Sequence, residues 1–308
     1  MTQERHYALW RMLGAGQRDY SAAMFTVTPL KPHELPRYFA DQQQFYGLPE
    51  PQERARRILS QFDAAEQQEL AQDFLVLRGE DGGVRAGLGV SGGKYVQGFY
   101  AASDPEAGAH WPALLQALRA QGRPLRVYLN AHPERLRPPL AAALEGAGFT
   151  RHTDYDLVKS LFGASQQAAP EPELHLTNWD DSTEAEFRAV YERLAGPLDP
   201  DWDTVYGIGE FVPALWFVGR VPGQQAQTTL FGIGGTRRPE NRHIYHLRAA
   251  FSFELSRAAV ISVAEAVLAE YTPDAVLHVH ASEPEVAELL ARGYAVNGTE
   301  DYWDVSAG

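Results

Sequence analysis

The chain has 308 residues, 44% hydrophobic and 22% charged, with no cysteine and a formal net charge of -13. Disulfides, thiolate nucleophiles and cysteine-ligated zinc are thereby excluded, and the acidic balance repels nucleic-acid phosphate and anionic membrane. No apolar run approaches the roughly 20 residues that span a bilayer; the length reads as two domains, the lack of cysteine fits a cytoplasmic protein, monomer or homodimer, and the charge makes a cationic small molecule or basic peptide an electrostatically acceptable partner.

Residues 1–23 read as an extension without a signal-peptide core, and Met24 is an alternative start before the strand Phe25-Thr26-Val27. Helical spacing follows over 32–47, through Leu35, Tyr38, Phe39 and Phe45, and over 50–62. Two apolar runs, 74–78 and 86–90, flank the turn signal Asp81-Gly82-Gly83 and read as a hairpin. A strand over 95–101 leads to Asp104-Pro105-Glu106, a helix start. That helix carries Trp111, Leu114, Leu115 and Leu118. Then come a strand at 125–129, a helix at 133–145 and closing strands over 149–161. Residues 163–172 are small, polar and proline-containing, and read as a linker.

The second half repeats this order. A strand at 174–176 and a helix at 182–194 precede a hairpin at 215–233. A strand at 243–250, a helix at 256–271, a strand at 275–280, a helix at 283–291 and closing strands at 294–305 complete it. The ends agree most closely. Leu144-Glu-Gly-Ala-Gly148-Phe149 leads to Asp154-Tyr155-Asp156, and Leu289-Leu-Ala-Arg-Gly293-Tyr294 leads to Asp301-Tyr302-Trp303-Asp304. Double glycines close both hairpins, and Gly93 to Gly148 spans 55 residues where Gly235 to Gly293 spans 58. Preserved order and spacing read as an internal duplication. The expected fold class is α/β (α+β): two tandem domains, 24–162 and 173–308, each a mixed, mostly antiparallel sheet flanked by helices.

This order, with each half ending in helix, glycine, aromatic residue and last strand, resembles the GCN5-related N-acetyltransferase (GNAT) family over residues 24–306. The resemblance implies transfer of an acetyl group from acetyl-CoA to an amine of a small molecule or peptide. It implies that the fourth and fifth strands of each half splay to form the cofactor cleft. The fourth strand of the second half, at Leu247, Arg248 and Ala249, would meet the pantetheine arm. The next helix start, at Ser256, Arg257, Ala258 and Ala259, would meet the pyrophosphate, since free N–H groups and the helix dipole attract anions.

The sequence also departs from that family. Its phosphate loop reads Arg/Gln-x-x-Gly-x-Gly/Ala, but Arg257 stands at a glycine position and Glu254 opposes phosphate. In the first half Asp104 and Glu106 occupy the phosphate end, so that half reads as degenerate and the second as the catalytic one. The tyrosine that many members place four residues before the glycine is Leu144 in one half and Leu289 in the other. A pair that has lost chemistry and serves as a binding scaffold is therefore the alternative reading.

Glu210, His246 and Tyr302 are the candidate catalytic residues, as bases or substrate hydrogen-bonders. His243, His246, His278 and His280 fall on the two strands expected to line the cleft, as a polar pocket and not a metal site. The acids around Asp180 and Asp199 are candidate attractants for an amine, more simply read as a helix cap and a turn, and Trp202 beside them suits cation–π contact. The pieces Gly87-Leu-Gly89 and Gly232-Ile-Gly234 lie inside hairpin strands and make no dinucleotide fingerprint.

Overall fold

The computed structural model describes residues 25–162, 174–179, 184–199, 201, 202, 205, 211–235 and 243–306. The extension 1–23, Met24, the linker 163–172, Asp180, Asp181, Ser182, Asp203 and Glu210 lie outside the described residues. The chain forms two compact units, one of Met1–Arg123 with Ala131–Phe149, the other of Pro124–Asn130 with Thr150–Ala307.

The first unit opens with β1 (Thr26–Pro29) and the helices α1 (Leu35–Phe45), α2 (Pro51–Leu59) and α3 (Ala64–Gln72). β2 (Phe74–Arg78), β3 (Val84–Ser91), β4 (Tyr95–Ala101) and α4 (Asp104–Arg119) follow. Strands β1 to β4 form an antiparallel meander. α4 buries Trp111, Leu114, Leu115 and Leu118, an i, i+3, i+4, i+7 stripe that matches the expected helix face. α3 differs from expectation because it lacks an apolar stripe and buries only Ala71. It is specified at its start, where Asp63 accepts from Ala65 and Glu66 N–H at 2.8 and 2.9 Å and Glu66 accepts back from Asp63 N–H at 2.7 Å.

The second unit takes β5 (Leu125–Tyr128) from between α4 and the first unit's α5 (Arg137–Gly146). It continues with β6 (Thr150–Ser160), β7 (His175–Asn178), α6 (Glu184–Leu194), β8 (Phe211–Arg220) and β9 (Thr229–Gly235). β10 (Ile244–Ser252), α7 (Arg257–Tyr271), β11 (Val276–Ser282), α8 (Glu283–Ala291) and β12 (Ala295–Val305) complete it. Its strand order is β5-β12-β6-β11-β10-β9-β8-β7. The closing strands are exchanged between the sequence halves: β6 inserts between β12 and β11, and β12 pairs with β5. β8 starts earlier than the apolar run predicts, and a register shift between Phe211 and Trp216 absorbs Pro213.

One face of this sheet packs on α7 and α8, with Leu157, Leu277 and Val279 against Val260, Ile261 and Leu289. On the other side of β8 to β10 lies an aromatic core of Trp179, Phe187, Tyr191, Trp202 and Trp216. Trp202 is 2% exposed and stacks on Trp179 at 5.8 Å, so it is a core residue and takes no part in cation–π recognition of a ligand.

The same local chemistry recurs in both halves. Phe74 lies opposite Gly89, and Trp216 opposite Gly232. A Cβ at Gly89 would stand 2.7 Å from the Phe74 ring, and one at Gly232 would stand 2.3 Å from the Trp216 ring. The glycines make room for cross-strand aromatics. Gly148 and Gly293 have φ of 79° and 88°, and the next residue donates its N–H back to Leu144 O at 3.0 Å and to Leu289 O at 3.2 Å. This helix-terminating motif needs a left-handed residue, which is why each half ends in glycine followed by an aromatic.

These two kinds of glycine differ in what a methyl group meets. Gly293 has nothing within 4 Å of a built Cβ, so only backbone strain opposes Gly293→Ala, about 1 kcal/mol. Gly232→Ala overpacks against a buried tryptophan and costs more, about 3 kcal/mol. Urea unfolding of the full chain checks this, and the reverse order would overturn the packing explanation.

Candidate functional site

β10 and β11 are the parallel pair of the second unit, and they pair only over Ile244–His246 and Val276–His278. Beyond that point β11 stays bonded to β6 as far as Ser282, and β10 stays bonded to β9 as far as Ser252. The two strands therefore part with their facing edges unpaired by each other. Just past the parting, β10 bulges. Leu247 pairs with Ile233 and Ala249 with Gly232, leaving Arg248 as the extra residue. Such a bulge bends a strand and re-aims its side chain.

A cavity of about 320 Å³ opens there. Leu247 to Phe251 of β10 form one wall, with Arg257 of α7 and Glu285 of α8 beside it. His280, Ser282, Asp154, Arg126 and Tyr302 line the other side. Burial lowers the pKa of Arg248. The sequence thus brings Leu247, Arg248, Ala249, Arg257 and Tyr302 to one cavity.

The start of α7 is partly self-satisfied. Ser256 Oγ accepts from Ala259 N–H at 3.2 Å, while Ala258 is buried in the core and Ala259 half-buried. Arg257 donates to Glu285 at 3.1 Å and to the His280 carbonyl at 2.7 Å. Glu285 also accepts from the N–H and hydroxyl of Ser282. Burial pushes the Glu285 carboxyl up, but Arg257 and Ser282 outweigh it and the net shift is down. Glu254 is exposed and held by Gln224.

Register places a polar stripe on the face opposite α7 and α8. Directly opposed residues share a face, and the pairs are Arg126 with Asp304, Tyr128 with Tyr302, Tyr302 with His152, Glu300 with Asp154, Asp154 with Ser282, and Asp156 with His280. At the parting point the His246 and His278 rings lie 4.9 Å apart. His278 Nδ1 bonds Asp156 Oδ1 at 3.2 Å, and Asn297 donates to Asp156 Oδ2 at 2.6 Å. Burial lowers the pKa of His246, and His278 lowers it further. Tyr302 is 7% exposed, stacks on His152 at 5.1 Å, and carries the Arg126 guanidinium 4.3 Å above its ring.

Of the other candidates, His243 is exposed at the strand start, and Tyr245 packs on the α7 side, away from the stripe. Asp199 accepts from Gly196 N–H at 2.7 Å, a turn that also borders the cavity. Arg126, Asp154, Asp156 and Glu300 were missed by sequence reasoning. The signal was present in the Asp154-Tyr155-Asp156 motif, but it was assigned to the first half's own sheet.

The first unit's fourth strand also bulges, between Gln97 and Tyr100. Here the bulge is plugged. The Gly98 carbonyl accepts from Gln42 at 2.5 Å and from the Tyr38 hydroxyl at 3.4 Å. Nearby His132 is buried against Phe99 and bonded to Tyr46 at 3.0 Å, and burial holds its pKa down at about 4.

No family sequence profile matches the chain, and no curated protein sequence does. Solved structures do. A GCN5-related N-acetyltransferase from Anabaena variabilis aligns with a TM-score of 0.57 at 13% identity, covering 92% of this chain and 73% of that one. One from Kribbella flavida aligns at 0.52 and 12% identity, covering 93% and 72%. A conserved protein from Enterococcus faecalis aligns at 0.53 and 10% identity, covering 93% and 73%. Splayed parallel strands, a helix that follows the bulged one, and these alignments agree: the chain has the fold of the GCN5-related N-acetyltransferases.

Proposed function

We propose that the chain is a cytoplasmic, acetyl-CoA-dependent N-acyltransferase whose acceptor is an amine of a small molecule or peptide. The site belongs to the second sequence half, 173–308, and the first half, 24–162, is a degenerate copy. The observation that carries this is the parting of β10 from β11 at His246 and His278, beside the Arg248 bulge.

The unpaired edge at Leu247, Arg248 and Ala249 suits the amides of a pantetheine arm, because buried backbone donors and acceptors need partners. The start of α7, at Ser256 to Ala259, faces the anionic end, and Arg248 adds a cation at the cavity wall. Arg257 is engaged by Glu285, so its part is to hold the start of α7 to α8. His246 takes the proton from the acceptor nitrogen as that nitrogen attacks the thioester carbonyl. The carbon–nitrogen bond forms and the carbon–sulfur bond breaks. The thiolate leaves and is protonated by water, since Leu289 is buried at the helix end and carries no proton. Tyr302 hydrogen-bonds the acceptor. The first half lacks an open bulge, because Gln42 and Tyr38 fill it.

Acetyl-CoA at about 100 times its dissociation constant stabilises the native state by about 2.7 kcal/mol, which a melting curve resolves. Arg248→Glu abolishes that shift, and Gln42→Ala leaves it. A melting temperature unmoved by millimolar acetyl-CoA would rule out the transferase and leave the scaffold reading.

His246 acts as a base only when neutral. Burial and His278 depress its pKa below the ordinary 6.5, so the acidic limb of kcat/KM falls below pH 6.5. His246→Gln lowers the plateau about 100-fold and removes that limb. An unchanged limb in the variant would transfer the role to another group.

A further inference from the structure

The cavity lining carries a carboxylate, Asp154, that transfer to a simple monoamine leaves unanswered. Asp154 of β6 and Glu300 of β12 stand directly opposite each other on one face of the sheet. Like charges in opposed positions repel. Neither carboxylate has a hydrogen bond or ion pair among the described residues. Burial raises the pKa of each, outweighing the lowering by Arg126 and His280 at Asp154 and by His280 at Glu300, where Asp154 adds to the rise.

Two of the nearby cations are committed. Arg126 reaches Asp304 at 3.4 Å and lies over Tyr302, and Arg257 is tied to Glu285. His280, which lines the same cavity, is the remaining positive group near the two acids when protonated. Tyr302 supplies an independent sign of a ligand. It is 7% exposed and lines the same cavity, yet its hydroxyl makes no hydrogen bond among the described residues. Among those residues no three His, Asp or Glu are placed to share a metal ion. What fits is an organic cation with several N–H donors.

We infer that the acceptor is a diamine or polyamine, one ammonium held by Asp154, Glu300 and the Tyr302 hydroxyl while a second amine, at the Arg248 bulge, is acylated. This rests on the transferase reading above. The two roles fall to different nitrogens, because paired carboxylates favour the protonated form of the amine they hold. A protonated nitrogen has no lone pair for attack. The second nitrogen is the one that bonds to the acyl carbon and gives its proton to His246; the held ammonium leaves unchanged.

Isothermal titration calorimetry of the full chain with 1,4-diaminobutane and with n-butylamine, both without acetyl-CoA, tests this. The diamine is expected to bind at least about tenfold more tightly than the monoamine. Asp154→Asn and Glu300→Gln each weaken diamine binding by about tenfold or more. Both variants melt higher than the parent without ligand, because a repelling pair is relieved, and both keep the acetyl-CoA shift. Equal affinity for the two amines, or diamine binding untouched by both substitutions, overturns the proposal; a retained acetyl-CoA shift then leaves the transferase standing. Diamine binding without any acetyl-CoA shift supports the cation site and overturns the transferase.

Discussion

Two parallel strands that stop bonding each other after three residue pairs create the site on which everything else depends. Each keeps a full ladder on its outer edge, β10 to β9 and β11 to β6, so neither collapses into the gap. The inner edges then present backbone N–H and C=O groups that want partners. A bulge at the first parted position turns Arg248 and keeps β10 bent away. The small side chains of Ala249 and Ala250 leave that edge approachable. An extended, amide-bearing ligand is what such an edge accepts, by the same bonding rules that build a sheet.

The two faces of the sheet then divide the labour. One is apolar, and α7 and α8 seal it. The other carries His246, His278, Asp156 and Tyr302 in alternating positions along four strands. Strand periodicity alone produces this separation, because residues two apart share a face. Asp156 holds His278 by one ring nitrogen, Nδ1. The histidine pair stands at the vertex where the strands part.

Much of this was legible in the sequence, for stateable reasons. Helix ends were clear, because Gly148 and Gly293 answer a backbone demand that few other residues meet. The Trp111 to Leu118 stripe was clear, because its period matches the helix. α3 was not, because its stability is concentrated in the Asp63–Glu66 cap, with no apolar period to read. Trp202 was misread because an aromatic beside acids looks like a cation site until its neighbours in space, Trp179 and Trp216, are known. The histidines at 246 and 278 were placed together by strand logic. The acids at 154, 156 and 300 were not, because the pairing of β6 with β11 and β12 joins residues more than a hundred positions apart, and no local pattern encodes it.

That exchange also explains why a plugged first half persists. Its bulge is closed by Gln42 and Tyr38, and its buried His132 is neutral at physiological pH, so it offers no open cleft of its own. Yet β5 and β6 belong to the first half by sequence and to the second unit by contact. They carry Arg126 and Asp154, which line the second unit's cavity, and Asp156, which holds His278. Without β6, β11 would lose the outer ladder that holds it clear of β10, and His278 would lose the carboxylate that orients it. The first half is thus tied to the site through two strands, however much of its own chemistry has eroded. A second half cut free at the linker would keep Leu247 to Ala249 but lack both the wall facing them and the strand that keeps the cleft open.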